Sequence, residues 1–238
     1  MIENIRSAVA TDVGNIREHN EDFHQMDPEL GLWIVTDGMG GHESGEVASE
    51  LTAKVVSQSV KEGKSLEDSL VSAHEYVMQA ADSDPSKSGM GATAVVLKVT
   101  GNQYEIAWVG DSRVYRLSRK SGLDLLTHDH SYVQLLVDND LISADDARHH
   151  PMSHVVNQAI GSSPKGAVVV DQVQGKVELG DRFLLCTDGL TNELCDEGIA
   201  KVLTEETDCQ QAADRLVQEA LDAGGADNVT VVIVEIPC

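Results

Sequence analysis

Eight short apolar runs rich in β-branched residues punctuate the chain, at 5–10, 32–36, 92–99, 104–109, 114–117, 168–173, 182–187 and 229–236. Each is bounded by Gly or Asp, so each is predicted to be a strand. Between the second and third runs the period lengthens to that of a helix. Val47, Leu51 and Val55 recur four apart, and from Ser65 onward Leu66, Leu70, Ala73, His74, Val77 and Ala81 share one face. Ser65 and Asp68 are spaced as a capping box at the start of that second helix. Further helices are predicted over 132–137, 144–149, 196–203 and 209–223. Consecutive strands joined by short turns predict antiparallel sheet, and the segregated helices predict an α+β layer arrangement. The polar cluster Asp82-Ser83-Asp84-Pro85-Ser86-Lys87-Ser88-Gly89 reads as a loop, too short to divide the chain. One domain spanning 1–238 is expected, since this length supports a full core.

Charge narrows the function. Forty acidic residues against 17 basic ones give a formal net charge of -23, which repels nucleic-acid phosphates and anionic membrane surfaces. It favours cations, although most of these carboxylates serve as solvated surface. The four cysteines, Cys186, Cys195, Cys209 and Cys238, form no Cys-x-x-Cys pair and point to a reducing compartment. With no apolar stretch long enough to span a bilayer, a soluble cytoplasmic protein without a membrane partner is expected.

The chemistry gathers at strand ends. Two apolar runs finish in the same triplet, Thr36-Asp37-Gly38 and Thr187-Asp188-Gly189, and Asp227 sits in Gly225-Ala226-Asp227-Asn228 just before the last run. A carboxylate at the end of a buried strand is held rigidly, and a following glycine admits backbone or ligand at close range. Hard divalent cations such as Mg²⁺ and Mn²⁺ take carboxylate, carbonyl and water oxygens. Asp37, Asp188 and Asp227 with the Gly38 carbonyl supply that donor set, and paired ions of this kind activate water for in-line displacement at phosphorus. Upstream, Arg17 precedes Glu21 and Asp22 by four and five residues and offers a planar fork to a phosphoryl group.

Two other chemistries are set aside. His128, His130, His149 and His150 have neither cysteine partners nor the i, i+4 spacing of a zinc site. Cys209 to Arg215 matches Cys-x5-Arg in form, yet it lies in an amphipathic helical run without a glycine-rich cradle.

The order of segments resembles a known family. Asp12-x-Gly14-x-x-Arg17-x-x-Asn20-Glu21-Asp22, Asp37-Gly38-Met39-Gly40-Gly41-His42, Gly89-Met90-Gly91-Ala92-Thr93, Gly110-Asp111-Ser112-Arg113, Asp129-His130-Ser131, Thr187-Asp188-Gly189-Leu190-Thr191 and Gly225-Ala226-Asp227-Asn228-Val229-Thr230 follow one another almost end to end. In this order they resemble the PP2C-type metal-dependent Ser/Thr protein phosphatases in their compact bacterial form.

The resemblance implies a four-layer α-β-β-α sandwich of two antiparallel sheets flanked by helices, with the metals in a cleft at one end. It implies hydrolysis of phosphoserine and phosphothreonine in phosphoprotein substrates, by attack of a water bridging two Mn²⁺ or Mg²⁺ ions, in opposition to a Ser/Thr kinase. Asp37 would bridge the ions, the Gly38 carbonyl would complete one, and Asp188 and Asp227 the other. Glu21 and Asp22 would hold ion-bound waters or bind directly, and Arg17 would grip the phosphate. A monomer is expected. Asp111 aligns with a residue that shares a looser third ion with the counterpart of Asp188. Relatives often place an aspartate four residues after Asp188 where this chain has Asn192, so a third ion is expected to be weak and visible at high Mn²⁺ or Mg²⁺. Animal members carry a histidine where this chain has Met39. The general acid stays open between His42 and a metal-bound water. The stretch from His128 to Gly161 resembles the family's lid beside the cleft. A non-catalytic phosphoprotein-binding module of the same fold is the competing reading, and the presence of Asp37, Asp188 and Asp227 favours catalysis.

Overall fold

Runs that are apolar at nearly every position need cover on both faces, and here two stacked sheets provide it. The computed structural model describes residues 5–40, 44–148, 150–162 and 167–237. In chain order the strands are β1 (Arg6–Asp12), β2 (Asp22–Asp27), β3 (Leu32–Met39), β4 (Gly91–Ala92), β5 (Ala94–Thr100), β6 (Gln103–Val109), β7 (Arg113–Ser118), β8 (Gly122–Leu125), β9 (Asp171–Lys176), β10 (Arg182–Cys186) and β11 (Val229–Glu235). The helices are α1 (Ser44–Lys61), α2 (Leu66–Ser83), α3 (Tyr132–Asp138), α4 (Ala144–Arg148), α5 (Asp188–Thr191), α6 (Asp196–Glu205) and α7 (Cys209–Ala223). One sheet runs β1-β11-β10-β7-β8 and the other β2-β3-β5-β6-β9, with β4 paired to β3 and all pairings antiparallel.

Alternate residues of each central strand face different layers. Trp33, Val35, Phe183, Leu185, Val232 and Val234 fill the space between the sheets. Their neighbours Leu184, Cys186, Val231 and Ile233 turn outward under α6 and α7, and Leu32, Ile34 and Val96 turn outward under α1 and α2. The four-layer α-β-β-α sandwich follows from this pattern, since period-2 geometry sends consecutive apolar side chains into two separate cores. Ser65 caps α2 as its spacing predicts, its Oγ accepting from the Asp68 N–H at 3.0 Å. No helix of the described residues is long and apolar enough to cross a membrane.

Several boundaries differ from the sequence reading. The predicted strand over 92–99 breaks at Thr93, whose N–H donates to the Asp37 carbonyl at 2.8 Å and so leaves the ladder. The run predicted at 168–173 becomes a strand only from Asp171, pairing with β6 through Lys176. Thr187 is not strand but the residue that starts α5, the short helix that opens on Asp188. β2 and β8 are additional, and both lie at sheet edges, where half-buried polar residues carry no clear period. The helix predicted over 144–149 is present over Ala144–Arg148, and His149 lies outside the described residues.

Candidate active site

The carboxylates converge at one end of the sandwich because antiparallel order brings strand starts and ends together there. Asp37 near the end of β3 stands opposite Asp22 at the start of β2. Asp188 follows β10, Asp227 precedes β11, and Asp111 precedes β7. A cleft of about 270 Å³ is lined by Arg17, Glu21, Asp37, Asp111, Asp188 and Asp227, with Gly38 and Thr93 beside them. Of the predicted site residues, all but one line this cleft or touch those that do. Asp22 reaches it from behind, and His42 lies outside the described residues.

Hydrogen bonds fix each position. The Asp37 N–H donates to Thr93 Oγ1 at 3.2 Å, and Thr93 Oγ1 shares a 2.7 Å bond with Ser112 Oγ. Asp22 Oδ2 accepts from Thr187 Oγ1 at 2.9 Å, and Thr187 Oγ1 in turn accepts from the Thr230 N–H at 3.0 Å. These threonines tie the two sheets together beneath the carboxylates. Gly38 has no room for a side chain, since a Cβ there would fall 2.1 Å from the Gly45 carbonyl oxygen and 2.7 Å from that of Glu21.

Asn228 is the anchor that the sequence reading passed over. Its Nδ2 donates to the carbonyls of Val13 and His19 at 2.8 and 2.9 Å, and its Oδ1 accepts from the Glu21 N–H at 2.7 Å. The loop bearing Arg17 and Glu21 is thereby pinned to the turn bearing Asp227 that leads into β11. Its neighbour Gly14, at φ +80°, lets the loop pass with the Asp227 carbonyl 2.3 Å from where a Cβ would be. Asn228→Ala is expected to lose about 2 to 3 kcal/mol, since it removes three buried hydrogen bonds and orphans their partners. A urea-denaturation series of the variant against the parent checks this.

Electrostatics is the site's defining property. Burial pushes the Asp22 carboxyl up to about 7, with Asp188 and Asp227 adding repulsion. Asp37 is raised well above the usual carboxylate range by burial and then by Asp22, Asp188, Asp111 and Asp227. Asp111 is raised by burial, Asp188 and Asp129, and Asp188 by burial and Asp227, with the Asn192 amide working the other way. Glu21 is raised by burial, against the pull of Arg17. Glu21 Oε1 and Asp22 Oδ1 are buried without a hydrogen-bond partner. Such groups sit badly in a protein unless positive charge reaches them.

Among the described residues Arg17 is the only arginine or lysine lining the cleft, and its half-exposed side chain donates from Nη2 to Asp227 Oδ2 at 2.8 Å. The carboxylates that converge there, with the Gly38 carbonyl, are oxygen donors, which suit a hard cation. Among the described residues no group of three or more His, Cys, Asp and Glu side chains is gathered tightly enough to enclose an ion by itself. Cations that also use backbone carbonyl and water, as Mg²⁺ and Mn²⁺ do, fit the carboxylates together with the Gly38 carbonyl.

The predicted lid does flank the cleft: His154 and Val156 line it, and Val156 bridges to Ser131 just before α3. His154 carried no readable signal in sequence, and Thr93 only closed one of the motifs that carry the family resemblance. Thr187 carried one, through the repeated Thr-Asp-Gly triplet.

These features have close counterparts. The family model for protein phosphatase 2C matches residues 17–223. Over 239 residues the chain is 36% identical to the serine/threonine phosphatase stp of Listeria innocua, covering 94% of this chain and 93% of that protein. The crystal structure of the Mycobacterium tuberculosis serine/threonine phosphatase PstP/Ppp matches with TM-score 0.90 at 32% identity, over 98% of this chain and 99% of the other. The catalytic domain of PstP in complex with two manganese ions matches with TM-score 0.87 at 31% identity, over 98% and 99%. Two stacked sheets between helical layers are thus the fold of a solved class of serine/threonine phosphatases. The chain belongs to the protein phosphatase 2C family.

Proposed function

We propose that this phosphatase hydrolyses phosphoserine and phosphothreonine in proteins, with two Mn²⁺ or Mg²⁺ ions held by Asp37, the Gly38 carbonyl, Asp188 and Asp227. The observation that carries the reading is the convergence of carboxylates raised by burial and then by one another's charge, with Arg17 the one arginine or lysine lining their cleft among the described residues. When bound, the ions supply an acidified water and Lewis-acid stabilisation of charge on the phosphoryl oxygens.

The chain's own residues do the rest. Asp37 sits among Asp22, Asp188, Asp111 and Asp227 and is the group best placed to be shared by both ions. Glu21 and Asp22, each with a buried oxygen that lacks a hydrogen-bond partner, would hold ion-bound waters or bind an ion directly. Arg17 exchanges its contact with Asp227 for the substrate phosphate, a bidentate partner of matching shape. His154 lines the cleft and is a candidate proton donor to the leaving serine or threonine oxygen, alongside a metal-bound water and His42, which lies outside the described residues. A third ion would share Asp188 with Asp111. The Asn192 Nδ2 already donates to Asp188 Oδ2 at 3.0 Å, so this ion would be weak and visible mainly at high Mn²⁺ or Mg²⁺. The 1–238 chain works as one monomeric domain against a Ser/Thr kinase.

Thiol chemistry has no footing here. Cys209 is buried, its thiol raised by burial, and Arg215 is engaged by Glu205, Glu206 and Glu219. Turnover of a phosphothreonine peptide should vanish in EDTA, return with Mn²⁺, and survive Cys209→Ser. Turnover that persists in EDTA but is lost in Cys209→Ser would overturn the proposal. Arg17→Ala is expected to raise KM by about 10- to 100-fold, the worth of one charge-assisted contact, with a smaller change in kcat. A fall confined to kcat would contradict the ground-state phosphate contact.

A further inference from the structure

The end of the first sheet remote from the carboxylates carries an opposite charge pattern. An open cavity of about 490 Å³ lies there, lined by Arg6, Arg119 and Arg182, three of the eight arginines in the chain. Arg6 opens β1, Arg119 follows β7 and Arg182 opens β10, so residues far apart in sequence meet where these strands start and end. The catalytic carboxylates lie at the other ends of the same strands, about 20 Å away at the usual rise per residue.

Arg182 is the buried element of this cluster, only 7% exposed. Its Nη1 donates to the carbonyls of Leu203 and Glu206 at the end of α6. Its Nη2 is buried with no hydrogen-bond partner, and its Nε stands 3.5 Å from Glu235 Oε2 without forming a hydrogen bond. A buried guanidinium left short of acceptors is unfavourable, and such a group calls for an explanation. Arg6 pairs with Glu235 from the solvent side through a side chain that is mostly exposed, so it is free to turn. Glu206 also lines the cavity, and Arg215 holds its Oε1 at 2.9 Å. Three arginines against two glutamates make the lining positive in a chain whose net charge is -23.

We propose that this cavity binds a small oxyanion of the phosphate class, either free phosphate or a phosphomonoester with a small organic body. Planar guanidinium forks match such an anion, and Arg182, which lines the cavity, gains the acceptor its Nη2 lacks once its side chain turns toward the anion. The volume exceeds what phosphate alone fills, and Leu117 and Leu203 offer apolar surface to an organic body. The site is separate from the catalytic cleft and does not rest on the reading of that cleft.

The test uses the full chain in EDTA, with inorganic phosphate and AMP as probes in calorimetric titrations. Both should bind the parent and Arg17→Ala alike. Affinity should fall about tenfold for each arginine removed in Arg6→Ala and Arg119→Ala, the worth of one charge-assisted hydrogen bond. Both arginines extend into solvent, and an unchanged Tm without anion confirms that the variants fold. Tighter binding of AMP than phosphate identifies a phosphomonoester ligand, and equal affinities identify free phosphate. No saturable binding of either probe up to about 10 mM, weaker than a few such contacts deliver, would overturn the proposal. So would binding abolished by Arg17→Ala but indifferent to Arg6→Ala and Arg119→Ala.

Discussion

Asp37→Asn is expected to lower kcat/KM for a phosphothreonine peptide by about three orders of magnitude and to raise the melting temperature in EDTA. The loss follows from removing the shared carboxylate, since ion-based stabilisation of developing charge is worth several kcal/mol. The gain in stability follows from the same residue's surroundings. Asp37 is half-buried beside four other carboxylates, all of which push its own ionisation upward. An amide of the same shape keeps the packing and relieves the repulsion. A gain of 1 to 2 kcal/mol would appear as a rise of about 3 to 5 °C for a chain of this length. Most substitutions at a buried position destabilise. Activity falling while stability rises therefore marks a charge retained for function. Kinetics and thermal melts on one preparation check both halves. An unchanged turnover with a lower Tm would assign Asp37 a structural role.

The second large effect is on pH. In EDTA the protein is expected to become less stable as pH rises from about 4 to about 8, the reverse of ordinary acid unfolding. An unfolded aspartate titrates near 3.9, whereas Asp22 in the fold is pushed up to about 7. Between those values the folded chain binds more protons than the unfolded one, so the free energy of unfolding falls as protons leave. The favourable contribution is complete below the unfolded value and gone once pH passes the folded one. Asp37, Asp111 and Asp188 are shifted in the same direction and add to the slope. Asp27, Asp138 and Glu178 are lowered by their partners and oppose it only at the acid end. Excess Mn²⁺ should flatten the dependence, because a ligand bound only by the folded state stabilises it by mass action. Urea midpoints at pH 5.5 and 8.0, with and without Mn²⁺, read this out. A midpoint in EDTA that rises with pH would show that these carboxylates are not forced together.

What was legible in the sequence had a local cause. The central strands were readable because residues such as Phe183 to Cys186 are apolar throughout, each side chain having a core to enter. Asp37 and Asp188 were readable because the Thr-Asp-Gly triplet repeats at two strand ends. β2 was not, because Asp22-Phe23-His24-Gln25-Met26-Asp27 forms a sheet edge and needs no apolar period. Yet that strand places Asp22 opposite Asp37. The role of Asn228 was hidden for a different reason. Its bonds to Val13, His19 and Glu21 span more than 200 positions of sequence, and no nearby residue announces them. The cluster of Arg6, Arg119 and Arg182 is likewise a product of antiparallel order, visible only when the strand ends meet.

The central claim is that mutually repelling carboxylates at one end of the sandwich hold two divalent cations. Anomalous diffraction from a Mn²⁺-soaked crystal tests it most directly. The account predicts two peaks in the cleft, about 3.5 to 4 Å apart, on either side of the Asp37 carboxylate, with Asp188 and Asp227 bound to the same peak. A single peak, or peaks that leave Asp37 untouched, would contradict it.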